Sequence, residues 1–133
     1  MTVTRHNIAG VEPPPGGSHV TAGRGDLIVH VSGQVGTDES GMVVPGLAAQ
    51  TERALLNVAL ALDTAGVSLD ELVKMTTYVV DWDLSMYDEL IRGGSAARAQ
   101  RTFPDTALTL IGVKSLFTPE MLIEIEAVAI VDS

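Results

Sequence analysis

Apolar and polar positions alternate strictly near one end of the chain. In IEIEAVAI, residues 123–130, Ile123, Ile125, Ala127 and Ala129 share one parity, and Glu124, Glu126, Val128 and Ile130 share the other. Period two is the signature of a strand, and residues two apart face the same way. A strand over 120–131 is therefore expected, with its first set under helices and both glutamates on the opposite side, about 6.6 Å apart. Past Glu126 the glutamate side turns apolar. That side needs partial cover of its own, such as another subunit.

A period near 3.6 appears once with clarity. Over residues 46–66, Leu55, Ala59 and Leu62 recur at i, i+4 and i+7, with Ala48 and Thr51 extending the stripe. Gln50, Arg53 and Asn57 fall away from its centre, and Gly66 is a suitable stop. A second helix is expected over 84–100, interrupted by Gly93 and Gly94. Residues 72–82 and 106–116 have strand propensity, and Pro119 and Glu120 form the turn into the last strand.

The first third is less regular. Residues 1–9 read as a short strand. Three prolines and two glycines make residues 11–18 a turn or extended loop. Residues 19–33 read as a hairpin turned at Gly23 and Gly25. Residues 37–46 read as a loop containing a short strand at 42–44. The order β, β, α, β, α, β, β points to an α+β class, with one mixed sheet and two helices on one face. The 133 residues fit a single domain, 1–133.

Composition removes several function classes. The chain has no cysteine, hence no disulfide framework, zinc thiolate or cysteine nucleophile. Its three histidines, His6, His19 and His30, are scattered, and no metal ligand set is expected. No apolar run reaches membrane-span length and no leader is apparent, so the expectation is a cytoplasmic protein. A formal charge of -9, with eight scattered Lys and Arg, argues against nucleic acid as a partner. Phosphate-loop, dinucleotide and nucleophile-elbow motifs are missing.

This leaves the carboxylate pair as the chemical signal. Two glutamates on an amphipathic strand can simply be its wet side. Alternatively, one is partly desolvated in a cleft, an environment that pushes a carboxylate toward the range useful for proton transfer.

Four segments give this choice a context: SGQVG (32–36) after an apolar strand, AAQTERALLNV (48–58) opening the helix, LVKMTTYVVD (72–81) after a short acidic turn, and EIEAVAIV (124–131) closing the chain. In order and spacing they resemble the Rid family (reactive intermediate deaminases, YjgF-like) over roughly residues 26–131. The resemblance implies a chorismate-mutase-like fold and a homotrimer with a central barrel and clefts between subunits. It implies hydrolysis of small imines or enamines without metal or organic cofactor. Glu124 would act on water, and Ser32 and Gly33 would line the cleft together with Leu108 and Thr109.

One departure matters. The family arginine that grips a substrate carboxylate lies in the penultimate strand. Counting from Pro104 puts it at Thr106, and counting back from the last strand puts it at Leu108, the preferred alignment; neither is arginine. Arg101 lies outside the strand, and its direction cannot be read. A substrate other than the 2-aminoacrylate type is expected. The alternative is a non-catalytic site for an apolar or aromatic ligand. Ribonuclease activity, attributed to some members, is disfavoured by the charge.

Overall fold

The alternation at the end of the chain is realised as read. In the computed structural model, which describes residues 3–133, Ile123, Ile125, Ala127 and Ala129 are buried, while Glu124, Glu126, Val128 and Ile130 are half-buried. The strands are β1 (Val3–His6), β2 (Gly17–Ser18), β3 (Val20–Gly23), β4 (Leu27–Val35), β5 (Leu72–Val80), β6 (Thr106–Val113) and β7 (Ile123–Val131). The helices are α1 (Leu47–Thr64) and α2 (Tyr87–Arg98). Residues 1 and 2 of the expected first strand lie outside the described residues.

Five strands form a mixed sheet in the order β2-β6-β5-β7-β4. β7 is antiparallel to both neighbours, β4 and β5, while β6 runs parallel to β5 and β2. Each parallel relation along the chain needs a crossover, and α1 (β4 to β5) and α2 (β5 to β6) supply them. Both helices lie on one face, over a core that includes Ala54, Val58, Leu62, Met75, Val79, Ile123 and Ile125.

Five expectations are corrected. The segment 19–33 is not a hairpin: β3 pairs with β1 in a separate two-stranded sheet, and β4 pairs with β7. Residues 11–18 are not all loop, because Gly17 and Ser18 pair with Thr106 and Ala107. The second helix starts at Tyr87, after a 3-10 turn over Leu84–Met86. The last two strands are shorter than expected, ending at Val113 and starting at Ile123, and the expected strand at 42–44 is an isolated bridge between Thr37 and Val43.

Gly93 does not interrupt α2. A Cβ there would lie 2.6 Å from the Thr51 Cβ, so the glycine allows α2 to press against α1. α2 packs on α1 rather than down onto β5 and β6. That offset leaves the space described below.

Helix α1 ends in two reversed hydrogen bonds, from Gly66 N–H to the Asp63 carbonyl (3.1 Å) and from Val67 N–H to the Leu62 carbonyl (3.0 Å). Gly66 has φ 70°, a conformation open to glycine and costly for a side chain. Gly66→Ala is expected to destabilise the chain by about 1 kcal/mol, measured by urea unfolding. An unchanged midpoint would mean that the helix end does not depend on this conformation.

Candidate functional site

Glu124 and Glu126 project from the face of the sheet that the helices leave bare. Their cross-strand partners on β5 are Tyr78 and Thr76. The Tyr78 hydroxyl donates a short hydrogen bond to the Glu126 Oε1. That bond, followed by burial and by the charges of Glu126 and Glu124, holds the Tyr78 phenol above its usual range. Glu126 thus has an internal partner. Among the described residues, none donates a hydrogen bond to the Glu124 carboxylate.

Glu124 is seated by a bulge in β4. Between Val31 and Gln34 the register against β7 shifts by one residue, and the bulge falls at Ser32 and Gly33. A Cβ at Gly33 would lie 2.6 Å from the Glu124 Cδ, so the carboxylate lies over backbone that must be glycine. Ser32 is exposed in the same bulge, and its carbonyl accepts from the Gln34 Nε2 at 3.0 Å.

Two helix residues fix the ends of these strands. Asn57 Nδ2 donates to the Val35 carbonyl (2.9 Å) and the Thr37 carbonyl (3.1 Å), holding the exit of β4. Gln50 is 1% exposed, contrary to its expected place away from the buried stripe. Its Nε2 donates to the Glu120 carbonyl (2.9 Å) and its Oε1 accepts from the Leu122 N–H (2.8 Å). Gly36 lets this happen: a Cβ there would lie 2.6 Å from the Gln50 Cβ.

Tyr78 yields a pH prediction. A phenol whose folded pKa lies above its unfolded value of about 10 favours folding below that value, and the contribution fades as pH rises through the folded pKa. Tyr78→Phe is therefore expected to be less stable than wild type at neutral pH, with the gap narrowing above pH 10. Thermal melts of both proteins across that range would show it; a gap that widens with alkali would contradict the assigned hydrogen bond.

Leu108 lies elsewhere. It pairs with Met75, whose other neighbour is Ala127, so it belongs to the helix-side face, opposite Glu124. Thr109 has the reverse parity, and its hydroxyl accepts from the Lys74 Nζ at 2.5 Å. One chain therefore brings Ser32, Gly33 and Glu124 together, and does not bring Leu108 to them.

Leu108 lines a cavity of about 520 Å³ between α2, α1 and strands β5 and β6. Its walls are mostly apolar, including Leu55, Met75, Leu90, Ile91 and Phe103. Trp82 and Tyr87 also border it. Gly112 gives room to the Trp82 side chain, with a notional Cβ 3.1 Å from the Trp82 Cβ. Among the described lining residues, Arg98 is the cation and Asp105 the anion.

Arg101 is otherwise engaged. It grips Asp63 through both terminal nitrogens at 3.0 Å, and this pairing holds the Asp63 carboxyl below the usual carboxylate range. Thr106 is buried at the start of β6. Among the described residues, no three His, Asp or Glu side chains are grouped to hold a metal ion, and no helix is long and apolar enough to cross a membrane.

A mixed sheet with two helical crossovers on one face is the architecture of chorismate-mutase-like α+β proteins, and the comparisons agree. Residues 10–131 match the family model described as Endoribonuclease L-PSP, and the chain belongs to that family, the Rid or YjgF family. A RutC family protein of Pyrococcus abyssi is 31% identical over 121 residues, covering 88% of this chain and 89% of that protein. A crystal structure of a conserved Rid-family protein of unknown function from Yersinia pestis superposes with a TM-score of 0.85 at 31% identity, over 98% of this chain and 100% of that one. The YjgF gene product of E. coli superposes with a TM-score of 0.68 at 25% identity, over 95% and 92% of the two chains.

Proposed function

We propose that this chain is a deaminase-like hydrolase of a small imine, enamine or similarly activated metabolite, working in a cleft shared between subunits of a homotrimer. The observation that carries the reading is the Glu124 carboxylate, seated over Gly33 with no donor among the described residues. A carboxylate so placed has free lone pairs for water or substrate.

The apolar surface of the sheet supports assembly with further copies. Ile28 is 61% exposed and Ile111 41%, and both belong to the same bare face as Val128 and Ile130. Apolar surface on a sheet face favours a protein partner. The proposed trimer would have to bring the Glu124 side of one protomer to the helix-side cavity of the next, since one chain keeps them on opposite faces.

In the proposed reaction Glu124 accepts a proton from water as the oxygen adds to the C=N carbon. Glu124 passes that proton to nitrogen, giving a carbinolamine; the remaining hydroxyl proton then passes by way of Glu124 to the amine as the C–N bond breaks, so that ammonia leaves and the carbonyl forms. Ser32 and backbone groups of the bulge hold the reacting end. No cofactor enters the scheme. With Thr106 and Leu108 in place of a strand arginine, and with apolar cavity walls, the substrate is bulkier than the three-carbon 2-aminoacrylate type.

The apolar walls also favour a second reading, a binding protein for an apolar or aromatic ligand without turnover. An amino-acid oxidase can generate a panel of imines, with semicarbazide trapping those that survive. Loss of an imine in the presence of the protein supports hydrolysis. Saturable ligand binding with no turnover supports the second reading. Sedimentation at monomer mass would remove the shared cleft from both.

A further inference from the structure

Arg98 combines features that the proposed reaction leaves unused. It ends α2 at the border of the apolar cavity, with its side chain 37% exposed. Its Nη2 donates to the Gly16 carbonyl at 2.9 Å. A Cβ at Gly16 would lie 3.0 Å from the Arg98 Cζ, so the guanidinium lies over glycine backbone that leaves it room. Its nearest carboxylate, Asp105, also borders the cavity and forms an ion pair with Nη1 at 3.7 Å, longer than a hydrogen bond and exposed at the rim. Most of the guanidinium N–H groups therefore have no acceptor among the described residues, whereas the fork of Arg101 is filled by Asp63.

We propose that Arg98 is the carboxylate anchor of the helix-side cavity, and that the ligand is a small carboxylate bearing an apolar or aromatic side chain. This deepens the reading above by naming the substrate class, and it rests on the cavity being part of that cleft. Carboxylate and guanidinium match as a two-bond pair, which the 3.7 Å approach of Asp105 does not provide. Leu90, Ile91, Phe103 and Leu108 would then receive the side chain. The anchor comes from the end of a helix, next to the start of β6, instead of from within the strand.

The test is calorimetric binding of 3-phenylpropionate and of 3-phenylpropionamide, which differ in charge at one end. Wild type is expected to prefer the acid by about tenfold or more. Arg98→Met should erase that preference by weakening acid binding far more than amide binding, with Arg98→Gln as a second neutral replacement should the first not fold. A preference that survives both substitutions overturns the proposal, as does wild type that binds the two equally or binds neither. The readout needs no turnover. Acid binding lost in Arg98→Met in a protein that hydrolyses no imine would keep the anchor and sink the hydrolase. Imine hydrolysis with an acid preference indifferent to Arg98 would do the opposite.

Discussion

Glu124→Gln is expected to lower kcat/KM for imine hydrolysis by about 10²- to 10⁴-fold, the usual contribution of a positioned acid or base. The substitution keeps shape and hydrogen-bonding oxygen and removes the capacity to take a proton. It should leave folding nearly untouched. The carboxylate receives no hydrogen bond from the described residues, and its nearest support is the Gly33 backbone beneath it. A melting temperature close to wild type, together with the loss of rate, would separate chemistry from structure. A glutamine variant with full activity would end the assignment of Glu124 and move the search to Tyr78 and Glu126.

Gln50→Leu should have a large effect on stability. The replacement is nearly isosteric, but it strips partners from the Glu120 carbonyl and the Leu122 N–H together. Each partly buried group left unpaired costs about 1–3 kcal/mol, so a loss of about 2–4 kcal/mol is expected, seen as a melting point lower by roughly 10 °C. Leu122 is two residues from Glu124, so hydrolysis should fall as well, even below the melting range. Gln50→Glu, which keeps an acceptor for Leu122 but sets a buried carboxylate oxygen against the Glu120 carbonyl, should be at least as destabilising at neutral pH. Wild-type stability in Gln50→Leu would show that the loop into β7 finds other partners.

What could be read in advance depended on how local its cause was. The faces of β7 and the stripe of α1 were legible because period and parity are properties of consecutive residues. The partners of β3 and β4 were not. Gly23 and Gly25 look like turn glycines, yet a Cβ at Gly23 would lie 2.8 Å from the Val73 Cγ1, and one at Gly25 would lie 2.6 Å from the Val131 carbonyl carbon. They serve close packing against distant strands, which sequence spacing does not reveal. Gln50 was misplaced for the same reason, since its hydrogen bonds reach 70 and 72 residues along the chain.

The candidate site shows the limit most clearly. The parity of Leu108 within its strand and of Glu124 within its own were each readable. Their relation required the registers of β5 against β6 and against β7, and those put the two residues on opposite faces. Ser32 and Gly33 were singled out together, but the bulge that seats Glu124 on Gly33 follows from the β4–β7 register. Tyr78 went unmarked because its link to Glu126 crosses between strands. Arg98 went unmarked because nothing local distinguishes it from Arg101.

Because α2 docks on α1 through Gly93, the roof of the cavity is anchored to a helix and not to the sheet. Side chains such as Leu90 and Ile91 can therefore be exchanged without disturbing strand register. The glutamate and its glycine seat belong to the sheet and tolerate little change. Mutation can thus retune which molecules enter while the proton-handling end stays fixed, a division that makes the scaffold easy to diversify by evolution or by design.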